Sequence, residues 1–198
     1  MSGPEGAAER EPNAVPRIYV ASLSDYNAGV LHGTWLDAAF EPDELWDGIN
    51  RMLAASPTTA RYGDPAEEWA IHDYENFGPV ALSEWERIEK VAALARGIVR
   101  HGHAFAAWWD LDERSDNDGG DIDSQFTDQY LGSYTYLSDY VEHYLEGIGF
   151  DLDDMPGVPE SIQPYVVIDT EAMARDLVAG GAISTVETNG GVYVFANE

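Results

Sequence analysis

The chain has 198 residues, of which 37 are Asp or Glu and only 10 are Lys or Arg, so its formal net charge at pH 7 is −27. A charge of this size opposes binding to nucleic acid and to anionic membranes, and it favours a basic partner. Hydrophobic residues make up 44% of the chain and Trp occurs six times, which indicates a folded protein and not a disordered acidic tract.

The sequence contains no Cys, which excludes a disulfide framework and a thiolate metal site. No apolar run approaches the roughly 18 residues of a membrane span. Residues 1–16 lack the apolar core of a signal peptide and are rich in Pro, Gly, Ala and Glu. We therefore expect a disordered leader at residues 1–16 and a cytoplasmic protein with no membrane partner.

The first folded segment begins at Arg17. Residues 18–21 and 30–36 have the composition of two strands, and the turn-forming residues 24–29 between them indicate a loop. A helix is predicted to open at residues 41–44, because Pro fits the first turn and acids suit the positive end of the helix dipole.

This helix is predicted to end before Pro57. Residues 57–66 are then expected to form a loop. Alternating residues at 68–74 predict a third strand. Residues 17–75 are accordingly expected to form an N-terminal α+β lobe.

A long apolar periodicity follows. Ser83 and Glu86 have the spacing of a capping box, and apolar residues at helical spacing run from Trp85 to Val99. Residues 104–109 are expected to add another helical turn. Residues 76–109 are therefore predicted to be a central helical lobe.

The segment from residue 110 to 154 is the most acidic part of the chain. It holds fourteen Asp or Glu against a single basic residue, Arg114, yet aromatic and aliphatic residues run through it. Residues 110–123 are expected to form a loop or a late helix start. Residues 133–147 are predicted to form a helix that presents a cluster of acids at i, i+3 and i+7: Asp139, Glu142 and Glu146.

The last part of the chain indicates mixed structure. We predict an extended segment at residues 165–168, a helix at 169–179 and a hairpin that joins 182–187 to 192–195. Residues 110–198 are thus expected to form an acidic C-terminal α+β lobe. The predicted fold class is α+β, an elongated chain of two or three small lobes with an N-terminal antiparallel sheet and helix, central helices and a C-terminal hairpin.

Halophilic adaptation, calcium binding and catalysis could each account for acidic residues, but the sequence favours none of them. Halophilic adaptation spreads acids evenly, whereas here residues 110–154 are strongly negative and residues 76–109 are near neutral. A calcium loop starting at Asp112 or Asp116 fails the EF-hand pattern in both registers, which leaves room only for weak adventitious binding. No phosphate loop, nucleophile elbow or zinc-protease motif supports an enzyme, and no cofactor is expected.

Three segments in order resemble the ArdA antirestriction family. The first is Tyr26-Asn27-x-Gly29-x-Leu31-x-Gly33-x-Trp35, the second is residues 68–75 (EWAIHDYE), and the third is Ile168-Asp169 with residues 174–177 (ARDL) before Gly180. The resemblance covers roughly residues 17–196. Val167 stands where the family commonly has an aromatic residue.

The resemblance implies a non-enzymatic DNA mimic that occupies the DNA-binding groove of Type I restriction–modification enzymes, and a homodimer joined through the C-terminal lobe. The alternative is a mimic that regulates a nucleoid protein or another basic DNA-binding protein. The candidate phosphate-mimicking acids are Asp43, Glu44, Asp47, Glu67, Glu68, Asp110, Asp112, Glu113, Asp116, Asp118, Asp121, Asp123, Asp128, Asp139, Glu142, Glu146, Asp151, Asp153 and Asp154.

Overall fold

A computed structural model of the chain describes residues 14–111, 122–151 and 157–197. The chain divides into two compact units, residues 1–117 and residues 118–198. Within the described residues each unit contains a three-stranded antiparallel sheet with helices packed on it, so the predicted α+β class is confirmed. The predicted leader at residues 1–16 lies almost wholly outside the described residues.

The sheet of unit 1 has β1 (Arg17–Ser22) at its centre, between β2 (Gly33–Asp37) and β3 (Trp69–Glu75). Alternation explains β1, because Ile18 and Val20 are fully buried while Tyr19 between them is only half-buried. A bulge shifts the pairing of β1 with β3 between Tyr19 and Val20. All three predicted strands of this region are therefore present.

The helix α2 (Pro42–Ala54) packs its apolar face on this sheet and on the later helix α4 (Ile88–His101). Leu45 and Ile49 are fully buried on that face. The Glu44 carboxylate accepts a hydrogen bond from the backbone N–H of Glu41 at 3.2 Å, which satisfies one of the free donors at the helix start. The predicted opening of this helix at residues 41–44 is confirmed.

Two predicted loops contain short helices instead. The turn-rich residues 24–29 fall largely within α1 (Leu23–Asn27), and residues 57–66 begin with α3 (Pro57–Tyr62). The side-chain oxygens of Ser22 and Ser56 accept backbone hydrogen bonds at the two helix starts. The predictions missed these serine caps, which stabilise the starts of the two short helices.

The predicted capping box at Ser83 and Glu86 is wrong, because α4 begins only at Ile88. Residues 83–86 form a turn, and the Glu84 carbonyl accepts a hydrogen bond from the Ile71 N–H at 2.9 Å. This turn therefore satisfies part of the outer edge of β3 rather than starting a helix. The expected helix after residue 104 is present as α5 (His103–Leu111), whose residues 104–109 are all buried.

Unit 2 contains the sheet β4-β6-β5, formed by β4 (Tyr130–Tyr134), β5 (Ile183–Thr188) and β6 (Gly191–Ala196). Its helices are α6 (Ile122–Gln129), α7 (Leu137–Gly147) and α8 (Thr170–Ala179). One apolar cluster joins α7, α8 and the sheet through buried residues such as Val141, Ala174 and Val194. The predicted hairpin and the predicted helix before it are both confirmed.

One prediction in this unit is wrong. The helix expected from residue 133 begins at Leu137, because residues 130–134 pair with β6 as strand β4. The segment predicted to be extended at residues 165–168 follows a 3-10 turn at Gln163–Tyr165; Val166 has extended backbone angles, and the chain then runs outside any sheet to the start of α8.

No helix in the described ranges is both long and apolar enough to traverse a lipid bilayer. The separate lobes expected at residues 17–75 and 76–109 stay a prediction. Within unit 1, the packing of α2 on α4 connects elements from these two ranges.

Candidate functional site

The predicted acids of unit 1 lie at its surface. Six of them fall in the described part of the unit and all six are exposed: Asp43, Glu44 and Asp47 on α2, Glu67 and Glu68 just before β3, and Asp110 in the last turn of α5. The apolar face of α2 is buried, so the chain turns the opposite, acidic face of this helix to solvent.

In unit 2 the predicted acids lie on two helices and on the chain after α7. Asp128 on α6, Glu142 and Glu146 on α7, and Asp151 are exposed, while Asp123 and Asp139 are partly buried. Seven further predicted acids lie outside the described residues: Asp112, Glu113, Asp116, Asp118, Asp121, Asp153 and Asp154. The excluded calcium loop at residues 112–123 lies mostly there as well.

Three ion pairs in the described residues use other acids. Arg17 pairs with Glu75 at 3.4 Å, Lys90 pairs with Glu86 at 3.2 Å, and Arg96 pairs with Glu41 at 3.1 Å. None of these carboxylates belongs to the predicted set. Within the described parts of the chain, the carboxylates of Asp43, Glu142 and Glu146 form no ion pair, whereas Asp47 has Arg51 one turn away on α2, donating to its backbone carbonyl at 3.1 Å.

Two of the predicted acids also have a structural role. The Asp139 carboxylate accepts a hydrogen bond from the backbone N–H of Tyr136 at 2.9 Å, at the start of α7, as Glu44 does at the start of α2. Acids near a helix N-terminus are stabilised by the helix dipole. Asp139 and Glu44 would therefore be expected in these helices even without a partner, whereas Glu142 and Glu146 have no such explanation.

The spacing of charge on α2 resembles that of one DNA strand. Asp43, Glu44 and Asp47 span four residues of helix, or roughly 6 Å of rise at 1.5 Å per residue. Three successive phosphates on one strand of duplex DNA span roughly 7 Å along its axis. The charge spacing at the start of α2 is thus comparable with that of the DNA backbone, whereas the rest of the helix carries no further acid and one basic residue, Arg51.

One group of acids surrounds a shallow aromatic pocket that the sequence did not predict. Its cavity volume is about 300 Å³, and its lining residues are two tryptophans and four glutamates: Glu67, Glu68, Trp69, Glu84, Trp85 and Glu86. We call it the indole pocket. The sequence placed Trp85 in a buried helical stripe, but 65% of this residue is exposed. The sequence signal for this exposed tryptophan was its position between two acids, in Glu84-Trp85-Glu86.

A second unexpected acid, Asp25, is fully buried between α1 and α3. Its Oδ1 accepts hydrogen bonds from the Thr58 backbone N–H at 2.9 Å and from the Thr58 hydroxyl at 2.7 Å. Burial alone would raise the pKa of Asp25, but these donors together with the nearby Ser22 and Ser56 hydroxyls hold that pKa well below its ordinary value. Asp25 is a structural charge and does not belong to the surface.

The pKa values of one histidine and four tyrosines are also shifted. Burial and the neighbouring Arg100 lower the pKa of His101, which favours its neutral form. Burial raises the pKa of four tyrosines in unit 2, which keeps their phenols uncharged: Tyr130, Tyr134, Tyr140 and Tyr193. Among the described residues, no three His, Asp or Glu side chains converge as metal ligands would.

Comparison with known proteins gives one result. The family model described as Antirestriction protein (ArdA) matches residues 18–192, which is most of the chain. A search of curated proteins found no match. The matched region spans strands of both sheets and every helix of the described residues.

Proposed function

Because the chain belongs to the ArdA family of antirestriction proteins, we propose that it inhibits Type I restriction–modification enzymes by mimicking the charge and shape of B-form DNA. It binds the basic groove that these enzymes use for DNA, performs no catalysis and acts in the cytoplasm. The family match supports an antirestriction role and restriction–modification enzymes as partners. The mimicry and the Type I target are our proposal.

The observation that carries the proposal is a set of exposed carboxylates that form no ion pair within the described chain. On α2 and α7 the acids Asp43, Glu142 and Glu146 all face solvent, and the ion pairs of the described chain leave them unneutralised. Such a surface raises the energy of the free protein through repulsion. A groove lined with Lys and Arg would remove this repulsion and release the counterions of both partners.

The amount of charge is also appropriate. The net charge is −27, and duplex DNA carries one charge per roughly 1.7 Å of axis, so one chain matches roughly 46 Å of duplex. Of the acids in residues 110–154, eleven are Asp and three are Glu. Asp loses less rotamer entropy than Glu when it is ordered, which suits a fixed array of charges.

We further propose that the protein is a homodimer joined through its C-terminal lobe. The segment before α8 exposes apolar side chains that no described element of unit 2 covers, with Tyr165 82% exposed, Val167 84% exposed and Ile162 50% exposed. Neighbouring exposed apolar residues of this kind favour a protein contact. A second copy would bury them and would double the length of the charged surface.

Competition for DNA tests the proposed function. Purified protein is titrated into a complex of a Type I methyltransferase with labelled duplex DNA at low salt, and DNA release is followed by fluorescence anisotropy. Stoichiometric displacement that weakens steeply between about 50 and 200 mM salt is expected, since each released counterion contributes to the salt dependence. Failure to displace DNA at low salt refutes the Type I target, and displacement only from a nucleoid protein favours the alternative regulator.

A further inference from the structure

The indole pocket is more than a patch of negative charge, because two of its lining residues are tryptophans. Trp69 is half-buried at the start of β3 and meets Trp46 of α2 edge to face, with ring centroids 5.6 Å apart. The Trp46 indole N–H in turn donates to Glu89 Oε1 at 3.3 Å. Trp46 therefore holds the Trp69 ring in place on the side of α2.

The other wall is held by the backbone. The hydrogen bond from Ile71 N–H to the Glu84 carbonyl, at 2.9 Å, fixes the turn of residues 83–86 against the edge of β3. Trp85 is carried on this turn and leaves 65% of its surface in contact with water. An exposed indole beside a cavity gains free energy when a ligand covers it.

The carboxylates around the pocket differ in whether they already have a partner. Glu86 pairs with Lys90, and both side chains are largely buried. Within the described part of the chain, the carboxylates of Glu67, Glu68 and Glu84 make neither an ion pair nor a hydrogen bond, although all three residues are exposed. The pocket thus combines aromatic faces with carboxylates that still have free acceptor sites.

We propose that the indole pocket binds the guanidinium group of one arginine side chain from the basic partner, an inference that rests on the proposed function. A guanidinium is planar and weakly hydrated, so it stacks on indole rings while its N–H groups donate to carboxylates in pairs. A lysine ammonium is compact and strongly hydrated and uses such a site less well. DNA has no counterpart of this pocket. The pocket would therefore give the protein an affinity for its basic partner beyond that provided by charge mimicry alone.

Titration of the full chain with a small probe tests the pocket directly. The probe is N-acetyl-arginine methylamide, its uncharged control is N-acetyl-citrulline methylamide, and the indole N–H signals of Trp69 and Trp85 are followed by NMR. Saturable shifts with the arginine probe and none with the citrulline probe are expected. Glu84→Gln should weaken the arginine probe at least threefold, whereas Glu187→Gln, which removes an exposed charge elsewhere, should leave it unchanged.

Three results would overturn the inference: no saturable shift with the arginine probe, equal shifts with the citrulline probe, or equal affinity in Glu84→Gln and the unaltered chain. Equal affinity for the matching lysine probe would overturn the assignment to a guanidinium. Binding of the arginine probe is measured without any restriction enzyme, so it is decided independently of the proposed function.

A second arm uses displacement of DNA from the Type I methyltransferase. Trp85→Ala should weaken displacement about threefold to tenfold, the range expected for a cation–π contact. Tyr62→Ala is the matched control, since Tyr62 is 66% exposed against 65% for Trp85, and it should change displacement less than twofold. If the unaltered chain displaces DNA and Trp85→Ala does so equally well, the pocket proposal fails; if the unaltered chain displaces none, the proposed function fails.

Discussion

The substitution Asp25→Asn separates the structural charge of this protein from its surface charge. Asp25 is fully buried, and its Oδ1 receives two hydrogen bonds from Thr58, so the carboxylate ties α1 to α3. Hydrogen bonds to a charged group contribute about 1.5–3 kcal/mol each, and Asn keeps one acceptor oxygen but loses the charge. We expect Asp25→Asn to lower the free energy of unfolding of unit 1 by about 2 kcal/mol at pH 7.

The stabilisation by the Asp25 carboxylate should depend on pH. The pKa of Asp25 lies well below its ordinary value in the folded chain, and an unfolded Asp titrates near about 3.9. The unfolded state therefore takes up a proton first as the pH falls. The stabilisation by the carboxylate is fully present above about pH 4 to 5 and is lost progressively below that range. The difference between Asp25→Asn and the unaltered chain should shrink accordingly.

Urea unfolding followed by Trp fluorescence measures this effect in the correct unit, because all six Trp residues lie between residues 35 and 109. Urea is preferred to guanidinium chloride, which would screen the surface charges. Asp64→Asn, an exposed residue, is the matched control and should change stability by less than about 0.5 kcal/mol. Equal stability of Asp25→Asn and the unaltered chain at pH 7, or a difference that is constant down to pH 3, would refute the assigned role.

Three further outcomes are expected. Gly97→Ala should destabilise unit 1 by about 2 kcal/mol in the same urea assay, because a Cβ at residue 97 would lie on the buried ring of Phe105. The control is Gly147→Ala, where a Cβ has open space, and circular dichroism should show no loss of helix stability in this variant. Neutralising Asp139, Glu142 and Glu146 together should weaken DNA displacement by less than about tenfold, and outright loss would indicate a discrete site. Tyr165→Glu with Val167→Glu should give a monomer of unchanged circular dichroism in sedimentation equilibrium, and a persistent dimer would refute the proposed contact.

The elements that could be predicted from sequence are those with local signals. Pro42 together with flanking acids marked the start of α2, and Asp169 and Gly180 delimit α8. Asn189 and Gly190, residue types that favour a tight turn, lie between the two strands of the final hairpin. In each case the residues that determine the structure lie within a few positions of it. The acidic character of α2 and α7 was predictable for the same reason, because helical spacing alone separates the apolar face from the charged one.

The elements that could not be predicted depend on distant partners. Residues 130–134 form a strand because β6 lies roughly sixty residues later in the chain and supplies the hydrogen bonds. Glu84 and Trp85 belong to a turn because the edge of β3 receives that segment. Burial of Asp25 requires Thr58, which is 33 residues away. The indole pocket was missed for this reason: its two halves, around residues 68 and 85, meet only after the sheet has formed.

The acids of this chain consequently fall into two groups that salt should affect to different extents. Asp25 is buried among hydrogen-bond donors, and Glu44 and Asp139 satisfy helix starts, so ions in solution screen these local contacts little. Exposed acids such as Glu142 and Glu146 repel one another in the free protein, and salt relieves that repulsion. Added salt should therefore stabilise the folded chain while it weakens binding to a basic groove. A surface adapted only for stability at high salt would give the first effect without the second.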